Sequence, residues 1–368
     1  MSTYPGCSFE LTILGSCGGP LNNHTQSFLM KRAGSSESGY ICIDAGSGLA
    51  EIADMIYAQE YGNTFLVKSL YKSSAEDVSR FLAQGVRCTI GFGTPSEVFL
   101  KKSAEAHSSI MRTACEIFSE VREYYITHPH LDHMMGLILN APLIYTKLGS
   151  YKNVYGTEHT IQAIKEHIFN DKIWPDFTTD NTIRLEALEP SIRRNTYSIQ
   201  GIDCIPFTLN HGQTIDTKEP VLSTAFLFHE HQTDGHVLIC GDTESDLVSK
   251  TDSLLNIWTY LAENVPINNL KAIVLECSNT DEVDTSKLYG HLCPQHIIWE
   301  LKRLIEVYDV KPENFSLHVI LTHVKDIDSE EDPKITVLKQ VNKRCKQQGL
   351  DKYNISFSMA IQGFTMIL

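Results

Sequence analysis

The chain has 368 residues, and 42% of them are apolar, which is enough for a substantial buried core and excludes a disordered protein. The formal net charge is −14 and no segment concentrates lysine and arginine, so we expect no face for long nucleic acid. The N-terminus lacks a basic patch followed by an apolar stretch, and the ten cysteines are scattered singly. We therefore expect a cytoplasmic protein with buried free thiols and no membrane segment.

Strand-like apolar runs recur along the chain and alternate with helical patterns. The predicted strands are 9–14, 40–43, 123–126, 183–188, 197–209, 223–228, 236–240, 272–275, 317–321 and 355–359. The predicted helices are 94–118, which opens with a capping box, 242–261, 294–307 and 333–346. Asp234-Gly235 predicts a hairpin turn. This order of elements predicts an α/β fold with two sheets sandwiched between helices.

The predicted organisation is a single domain over residues 1–368 with an insertion at about 56–120. Within that insertion, residues 56–84 have mixed polarity and weak periodicity. No internal repeat of fixed period and no low-complexity tract interrupts the chain.

A histidine-rich run directly follows one predicted buried strand and reads Thr127-His128-Pro129-His130-Leu131-Asp132-His133. Alternation at the strand end sends His128 and His130 to the same side, where both can ligate one ion. Asp132 and His133 lie farther along, on the turn into the next helix, and can reach a second ion. A polar surface loop is the alternative, but only 15 of 368 residues are histidine, so three in six positions favour a binuclear metal site.

Three later residues occupy a similar position at the ends of strand-like runs. His211 is the predicted third ligand of the first ion, Asp242 has two oxygens that can bridge both ions, and His323 completes the second ion. Asp44 also follows a strand-like run, and either orients a ligating histidine or caps the next helix. The ligand set predicts two divalent ions. Zinc is favoured, and manganese and iron also suit nitrogen and oxygen ligands.

The remaining nine histidines do not share that position and are predicted to be surface or core residues, with His229 and His231 near the hairpin end. They are His24, His107, His159, His167, His229, His231, His236, His296 and His318.

Together, these residues resemble the metallo-β-lactamase superfamily, whose αβ/βα sandwich holds one or two metals between the sheet ends. Within it, the run from His128 to Pro142 resembles the signature of the class II, fungal-type cyclic-nucleotide phosphodiesterases, which has serine where Ala141 stands. The resemblance covers nearly the whole chain, up to Thr322-His323. It implies hydrolysis of 3',5'-cyclic AMP and cyclic GMP to nucleoside 5'-monophosphates, which terminates cyclic-nucleotide signalling.

The resemblance also implies catalytic residues. In the phosphodiesterase branch of the superfamily, a glutamate after a strand and a distant histidine handle the leaving group, and here Glu276 and His291 look like those elements. A metal-bridging hydroxide would attack phosphorus, and His291 would protonate the 3'-oxygen while Glu276 holds that histidine. Asp132, a predicted ligand, is counted with His291 and Glu276 as a catalytic residue. The alternative, that Glu276 and His291 only cap and pack, stays open.

Three other functions use part of the same pattern. An RNA-processing nuclease would share the ligands. The net negative charge of the chain and the absence of a Gly- and Lys/Arg-rich arm for binding RNA argue against it. A thioester hydrolase shares the first motif but has no obvious task for Glu276 and His291. A non-catalytic scaffold would typically have lost ligands, and all seven are present. The expected partner is a small cyclic nucleotide, with no long nucleic acid and no membrane, and the resemblance is compatible with a homodimer.

Overall fold

Two mixed β-sheets form the centre of the protein. The computed structural model describes residues 4–22, 24–61, 71, 78–103, 108–145 and 151–368. In chain order, the strands of these residues are β1 (Phe9–Gly15), β2 (Ser27–Arg32), β3 (Tyr40–Ile43), β4 (Arg87–Ile90), β5 (Val121–Tyr125), β6 (Lys152–Thr157), β7 (Ile183–Leu188), β8 (Arg194–Asn195), β9 (Ile202–Gln213), β10 (Pro220–Glu230), β11 (Gly235–Cys240), β12 (Leu270–Glu276), β13 (Leu317–Thr322), β14 (Ile355–Met359) and β15 (Phe364–Ile367). One sheet has the order β4-β15-β1-β2-β3-β5-β6-β7, and the other has the order β14-β13-β12-β11-β10-β9-β8.

Helices cover the outer face of each sheet. Those of the described residues are α1 (Leu49–Tyr61), α2 (Glu97–Ser103), α3 (Ile110–Glu120), α4 (Met135–Leu143), α5 (Glu158–His167), α6 (Asp246–Ser249), α7 (Ser253–Asn264), α8 (Pro294–Tyr308) and α9 (Pro333–Gln347). One apolar cluster joins α1 to α5 with the first sheet, and another joins α7, α8 and α9 with the second sheet. Within the described part of the chain, no helix is both long and apolar enough to cross a membrane.

The inner faces of the sheets pack directly on each other. Tyr125 of the first sheet contacts Phe226 and Phe228 of the second edge-on, with ring centroids 5.5 and 5.3 Å apart. These residues belong to an apolar cluster that is almost completely buried. The predicted α/β sandwich of two sheets between helices is therefore confirmed.

Several predicted boundaries are wrong. The helix predicted over 94–118 is two helices, because Ser109 accepts a hydrogen bond from the backbone N–H of Arg112 and starts α3 as an N-cap. The helix predicted over 242–261 begins only at α6 and breaks at Lys250, whose φ of 59° is left-handed. The strand predicted over 197–209 starts at Ile202 and runs on through His211 to Gln213.

The predicted insertion at about 56–120 lies partly outside the described residues, because it includes 62–70, 72–77 and 104–107. In its described part, β4 is the edge strand beside β15, and α3 packs against α1 and buries Ile117 and Phe118. These elements extend the first sheet and its helical layer. The limits of the insertion and the single-domain organisation stay predictions.

The strand ends of both sheets meet at one end of the sandwich. Strands β11, β12 and β13 are parallel, so Asp242, Glu276 and His323 come to the same edge of the second sheet. In the first sheet, β5 ends at Tyr125 and continues directly into the His128 to His133 loop.

A buried carboxyl group lies between the helices of the second sheet. Glu300 of α8 is fully buried and accepts hydrogen bonds from Ser245 Oγ at 2.7 Å and from the backbone N–H of Asp246 at 2.9 Å. Burial raises the pKa of the Glu300 carboxyl from 4.5 to about 7.

We expect Glu300→Gln to change how stability depends on pH. Between the unfolded pKa of 4.5 and the folded pKa of about 7, only the unfolded chain ionises at this position, so wild-type stability falls as the pH rises. Above pH 7, both states are ionised and the loss is constant. From pH 5 to pH 8, the free energy of unfolding of the wild type should drop by roughly 2–3 kcal/mol relative to Glu300→Gln. Urea unfolding at both pH values measures this, and parallel pH profiles would contradict it.

Candidate metal centre and active site

Three histidines form the first group of potential metal ligands. His128 Nε2 lies 2.9 Å from His130 Nδ1, and the ring of His211 is 5.0 and 5.1 Å from these two rings. One ring nitrogen of each histidine lies within 4.8 Å of the others. His128 is fully buried whereas His130 is exposed, so the group opens toward solvent on the His130 side. The structure thus brings together the residues predicted for the first ion.

Asp132, His133, Asp242 and His323 form the second group, with one potential ligand atom of each within 4.8 Å of the others. The Nε2 atoms of His133 and His323 are 3.1 Å apart, and Asp132 Oδ2 is 3.3 Å from His323 Nε2. Asp242 Oδ2 lies 3.4 Å from His133 Nε2 and 3.8 Å from both His128 Nε2 and His211 Nε2 of the first group. Asp242 therefore faces both groups, and its bridging role stays a prediction.

The chemistry of this cluster fits divalent cations. Burial lowers the pKa of His128 and that of His211, the latter to about 4, so both rings are neutral and offer lone pairs. Burial alone would raise the pKa of Asp242, but the neighbouring His323 and His133 hold it well below its ordinary value. The second oxygen of Asp242, Oδ1, is buried without a hydrogen-bond partner among the described residues. Neutral His128 and His211 beside the ionised Asp242 offer nitrogen and oxygen donors of the kind that bind a divalent metal.

Four of these histidines are held by a hydrogen bond at the nitrogen that faces away from the cluster. Such contacts fix the tautomer and the ring orientation of a metal ligand. They join His133 Nδ1 to Asp44 Oδ2 (2.8 Å), His211 Nδ1 to Gly290 O (2.9 Å), His323 Nδ1 to Ser278 Oγ (2.9 Å) and His128 Nδ1 to Thr127 Oγ1 (3.0 Å). The Gly290 backbone must approach closely here, since a Cβ on it would lie 2.4 Å from His211 O.

The carboxylate of Asp44 contacts His133 rather than the start of α1. Its carboxylate accepts hydrogen bonds from His133, from Gln26 Nε2 at 3.0 Å and from the backbone N–H of Thr127 at 2.9 Å. The first N–H groups of α1 are instead satisfied by Glu51 and Asn140. Of the two readings left open for Asp44, the contacts favour the first. Both Asp44 and His323 have a left-handed φ, of 54° and 60°, and such backbone strain is common at functional sites.

Glu276 and His291 meet beside the cluster. His291 Nδ1 lies 2.9 Å from Glu276 Oε1 and 3.7 Å from Asp242 Oδ2. Burial alone would lower the pKa of His291, but the Glu276 carboxylate raises it above its ordinary value. Conversely, His291 outweighs the burial of Glu276 and lowers the pKa of that carboxyl. The pair is thus polarised toward a protonated histidine beside an ionised glutamate.

Ser278 is a site residue that sequence reasoning missed as a functional position. Its Oγ donates to Glu276 Oε2 at 2.7 Å and accepts from His323 Nδ1, so it links the Glu276–His291 pair to a potential metal ligand. Thr127 and Gln26 were also missed, and they complete the contacts around Asp44. The sequence carried one signal for Ser278. Like the other site residues, it lies just after a strand, here the strand that carries Glu276.

Two cavities open beside the cluster. The larger has a volume of about 1010 Å³ and is lined by His130, His211 and Tyr289, together with the chain that follows β9. The smaller has a volume of about 460 Å³ and is lined by Asp132, Gly18 and the start of α1. A small molecule can therefore reach both ligand groups from the surface.

We expect Gly18→Ala to reduce activity by displacing His323. A Cβ at residue 18 would lie 2.6 Å from both His323 Nδ1 and His323 O, so the histidine must move. A shift of this size at a reacting centre lowers catalytic efficiency by about 10- to 100-fold. Steady-state kinetics with metal analysis measures this, and added zinc should restore part of the activity if His323 is a ligand. Unchanged kinetics would contradict the placement of Gly18 against His323.

The fold of this chain matches that of a solved structure. A metallo-beta-lactamase fold protein, YhfI from Bacillus subtilis, superposes with a TM-score of 0.52 over 97% of this chain and 98% of that chain, at 14% identity. This likeness shows the fold alone. The protein is thus of the metallo-β-lactamase fold class, as the sequence predicted.

The family is shown by closer relatives. The model of the class-II cAMP phosphodiesterases matches residues 41–363, and the chain belongs to this family. It is 35% identical to 3',5'-cyclic-nucleotide phosphodiesterase 1 of Saccharomyces cerevisiae, over 98% of this chain and 99% of the yeast protein. It is 30% identical to a 3',5'-cyclic-nucleotide phosphodiesterase of Candida albicans, over 98% and 100% of the two chains. The crystal structure of unliganded yeast PDE1 superposes with a TM-score of 0.90, at 34% identity, over 98% of this chain and 100% of that chain. The predicted family is confirmed.

Proposed function

We propose that this protein hydrolyses 3',5'-cyclic nucleotides, cyclic AMP and cyclic GMP, to nucleoside 5'-monophosphates with the help of two divalent metal ions. The observation that carries the proposal is the convergence of seven potential ligands beside the Glu276–His291 pair, in a member of the class-II cAMP phosphodiesterases. The reaction breaks the bond between phosphorus and the 3'-oxygen, adds the elements of water and ends a cyclic-nucleotide signal.

We assign one ion to each ligand group. His128, His130 and His211 would hold the first ion, Asp132, His133 and His323 would hold the second, and Asp242 would contact both. The chemistry that such ions supply when bound is charge neutralisation at the phosphate and activation of a water molecule. Zinc is the favoured metal because imidazole nitrogens dominate the set, with manganese and iron as the alternatives.

The proposed role of His291 is to protonate the leaving group. Its Nδ1 lies beside Glu276, which leaves Nε2 as the atom that can donate a proton to the departing 3'-oxygen. Glu276 keeps the imidazole in this tautomer and stabilises its charged form. Ser278 holds the second oxygen of Glu276, so the carboxylate keeps its orientation toward His291.

The charge of the centre suits the substrate. Asp132 and Asp242 balance only half of the charge of two divalent ions, so the occupied site attracts an anion. A cyclic nucleotide carries a single negative charge on its phosphodiester. The larger cavity, with a volume of about 1010 Å³ beside His130 and His211, is roomy enough for the nucleoside part.

The test is a hydrolysis assay with cyclic AMP and with cyclic GMP, before and after removal of metal with a chelator. We expect 5'-AMP and 5'-GMP as products, loss of activity in the metal-free protein and recovery when zinc is returned. Manganese and iron in parallel identify the preferred metal, and a tRNA precursor serves as the comparison substrate. Absence of turnover of both cyclic nucleotides by metal-loaded protein, or full activity without metal, would refute the proposal.

The compartment and the assembly state are part of the same proposal. All ten cysteines are free thiols and most of them are buried, which supports the reducing environment of the cytoplasm. Cell fractionation tests this placement. A homodimer stays a prediction from the family resemblance, and sedimentation analysis tests it.

A further inference from the structure

A second cluster of histidine and aspartate lies at the far end of β9, β10 and β11. Asp203, His229 and His236 form a row across these strands, since His229 pairs with Asp203 of β9 on one side and with His236 of β11 on the other. His231 lies in the hairpin turn next to this row. The sequence predicted surface or core histidines here, with His229 and His231 near the hairpin end, and the structure brings these two together with His236.

This cluster is remote from the candidate metal centre. His236 lies near the start of β11, whereas Asp242 follows the end of that strand. At about 3.3 Å per residue, the six residue steps from His236 to Asp242 correspond to roughly 20 Å. The two clusters therefore lie at opposite ends of the same sheet and cannot share an ion.

Three atoms of the cluster have the arrangement of a metal site. His231 Nε2 is 2.7 Å and His229 Nδ1 is 3.7 Å from Asp203 Oδ2, and the three atoms lie within 4.8 Å of one another. Tetrahedral zinc with bonds of about 2.0 Å needs ligand atoms about 3.3 Å apart. Small shifts of the side chains would therefore bring these three atoms to the distances that zinc requires. His231 can make them because 45% of its side chain is exposed. Asp203 is buried, and its Oδ1 has no hydrogen-bond partner among the described residues.

His229 is already oriented as a ligand. Its Nε2 lies 2.8 Å from Asp234 Oδ1, and the other oxygen of Asp234 accepts a hydrogen bond from Asn269 Nδ2 at 2.8 Å. With its proton on Nε2, His229 directs the Nδ1 lone pair toward Asp203, as in the carboxylate–histidine–metal arrangement. His236 stacks on His229 with the ring planes 6° apart. Because lone pairs lie in the ring plane, two parallel rings cannot aim at one ion, so His236 supports the site without ligating.

A cation already occupies this position. Arg193 Nη1 lies 2.8 Å from Asp203 Oδ2 and 3.3 Å from His229 Nδ1. The arginine side chain is 49% exposed, so it can swing into solvent. Arg193 and a metal ion would therefore compete for the same two ligand atoms.

We propose that Asp203, His229 and His231 form a zinc-binding site separate from the candidate catalytic centre, with Arg193 as the competing cation. Two imidazoles and one carboxylate select zinc over magnesium or calcium, which prefer oxygen ligands. A zinc ion bound at this site links the hairpin turn to β9. It stabilises the folded protein because it binds the folded state and not the unfolded chain.

The experiment is equilibrium dialysis of the metal-loaded protein against zinc, with bound metal counted by mass spectrometry. The wild type should bind one equivalent more than His231→Ala and Asp203→Asn, which keep their other bound metal. Arg193→Gln should bind the additional zinc at least tenfold more tightly because the competitor is gone. His159→Ala, an exposed histidine on α5, is the matched control and should behave as the wild type.

A second measurement separates a lost site from a damaged fold. The additional zinc should raise the melting temperature of the wild type and of Arg193→Gln, but not that of His231→Ala, while all three proteins melt cooperatively without it. Equal zinc stoichiometry in wild type and His231→Ala would overturn the proposal. Unchanged zinc affinity in Arg193→Gln would also overturn it, since the competition with arginine would then be absent.

Discussion

Asp242→Ala is expected to lose metal and cyclic-nucleotide hydrolysis together. Asp242 Oδ2 lies 3.3–3.8 Å from histidine nitrogens of both ligand groups, so its removal affects both ions. We expect kcat/KM to fall by at least about 10³-fold, since metal ions supply several kcal/mol of transition-state stabilisation. Steady-state kinetics and metal analysis on the same sample measure the two effects.

A matched variant and a conservative one sharpen this test. Asp54→Ala removes an exposed aspartate on α1 and should leave both metal content and turnover unchanged. Asp242→Asn keeps one oxygen ligand and should retain more metal than Asp242→Ala. Full metal content with full activity in Asp242→Ala would show that the residue does not bridge the two groups.

His291→Ala is expected to lower turnover without loss of metal. If His291 donates the proton to the 3'-oxygen, its removal lowers kcat by about 10²- to 10⁴-fold. The reason is that a sugar alkoxide is a poor leaving group unless it is protonated as it departs. A phosphodiester with a nitrophenolate leaving group needs no such proton, so its hydrolysis should fall far less.

The two substrates distinguish the proposed role from the alternatives. If both reactions fall by the same factor, His291 shapes the site and does not act as the acid. Loss of a metal equivalent would instead make His291 a ligand, an alternative that its position near His211 and Asp242 also allows. His159→Ala controls for the general effect of removing a histidine and should leave both rates intact.

The sequence predicted the strands whose apolar pattern is clear. Strands β3, β7 and β14 have the predicted bounds, because their alternation or apolar run ends at a clear turn. Strands β2 and β6 were missed since each contains a buried lysine. Lys31 and Lys152 are tolerated there because their ammonium groups donate to backbone carbonyls, of Thr94 and of Phe118 and Val121. The sequence does not show that these carbonyl groups lie beside the buried lysines, because the partners come from other parts of the chain.

The candidate ligands could be predicted because of one shared rule, namely that each comes at or just after the end of a strand. His128, His130, Asp132 and His133 lie close in the chain, and Asp242 and His323 follow parallel strands whose carboxyl ends meet. His211 follows the rule less well, since it lies inside β9 and reaches the site because that strand is longer than predicted.

By itself, the sequence determined the fold class, the family and which residues are candidate ligands, because these depend on local spacing and on strand ends. Only the tertiary structure decided which side chains hold those residues in place and which distant residues become neighbours. Ser278 touches His323 across 45 positions, and His229 meets Asp203 across a β-ladder. These contacts depend on strand pairing and sheet packing, which place residues of no recognisable spacing within a few ångströms of each other.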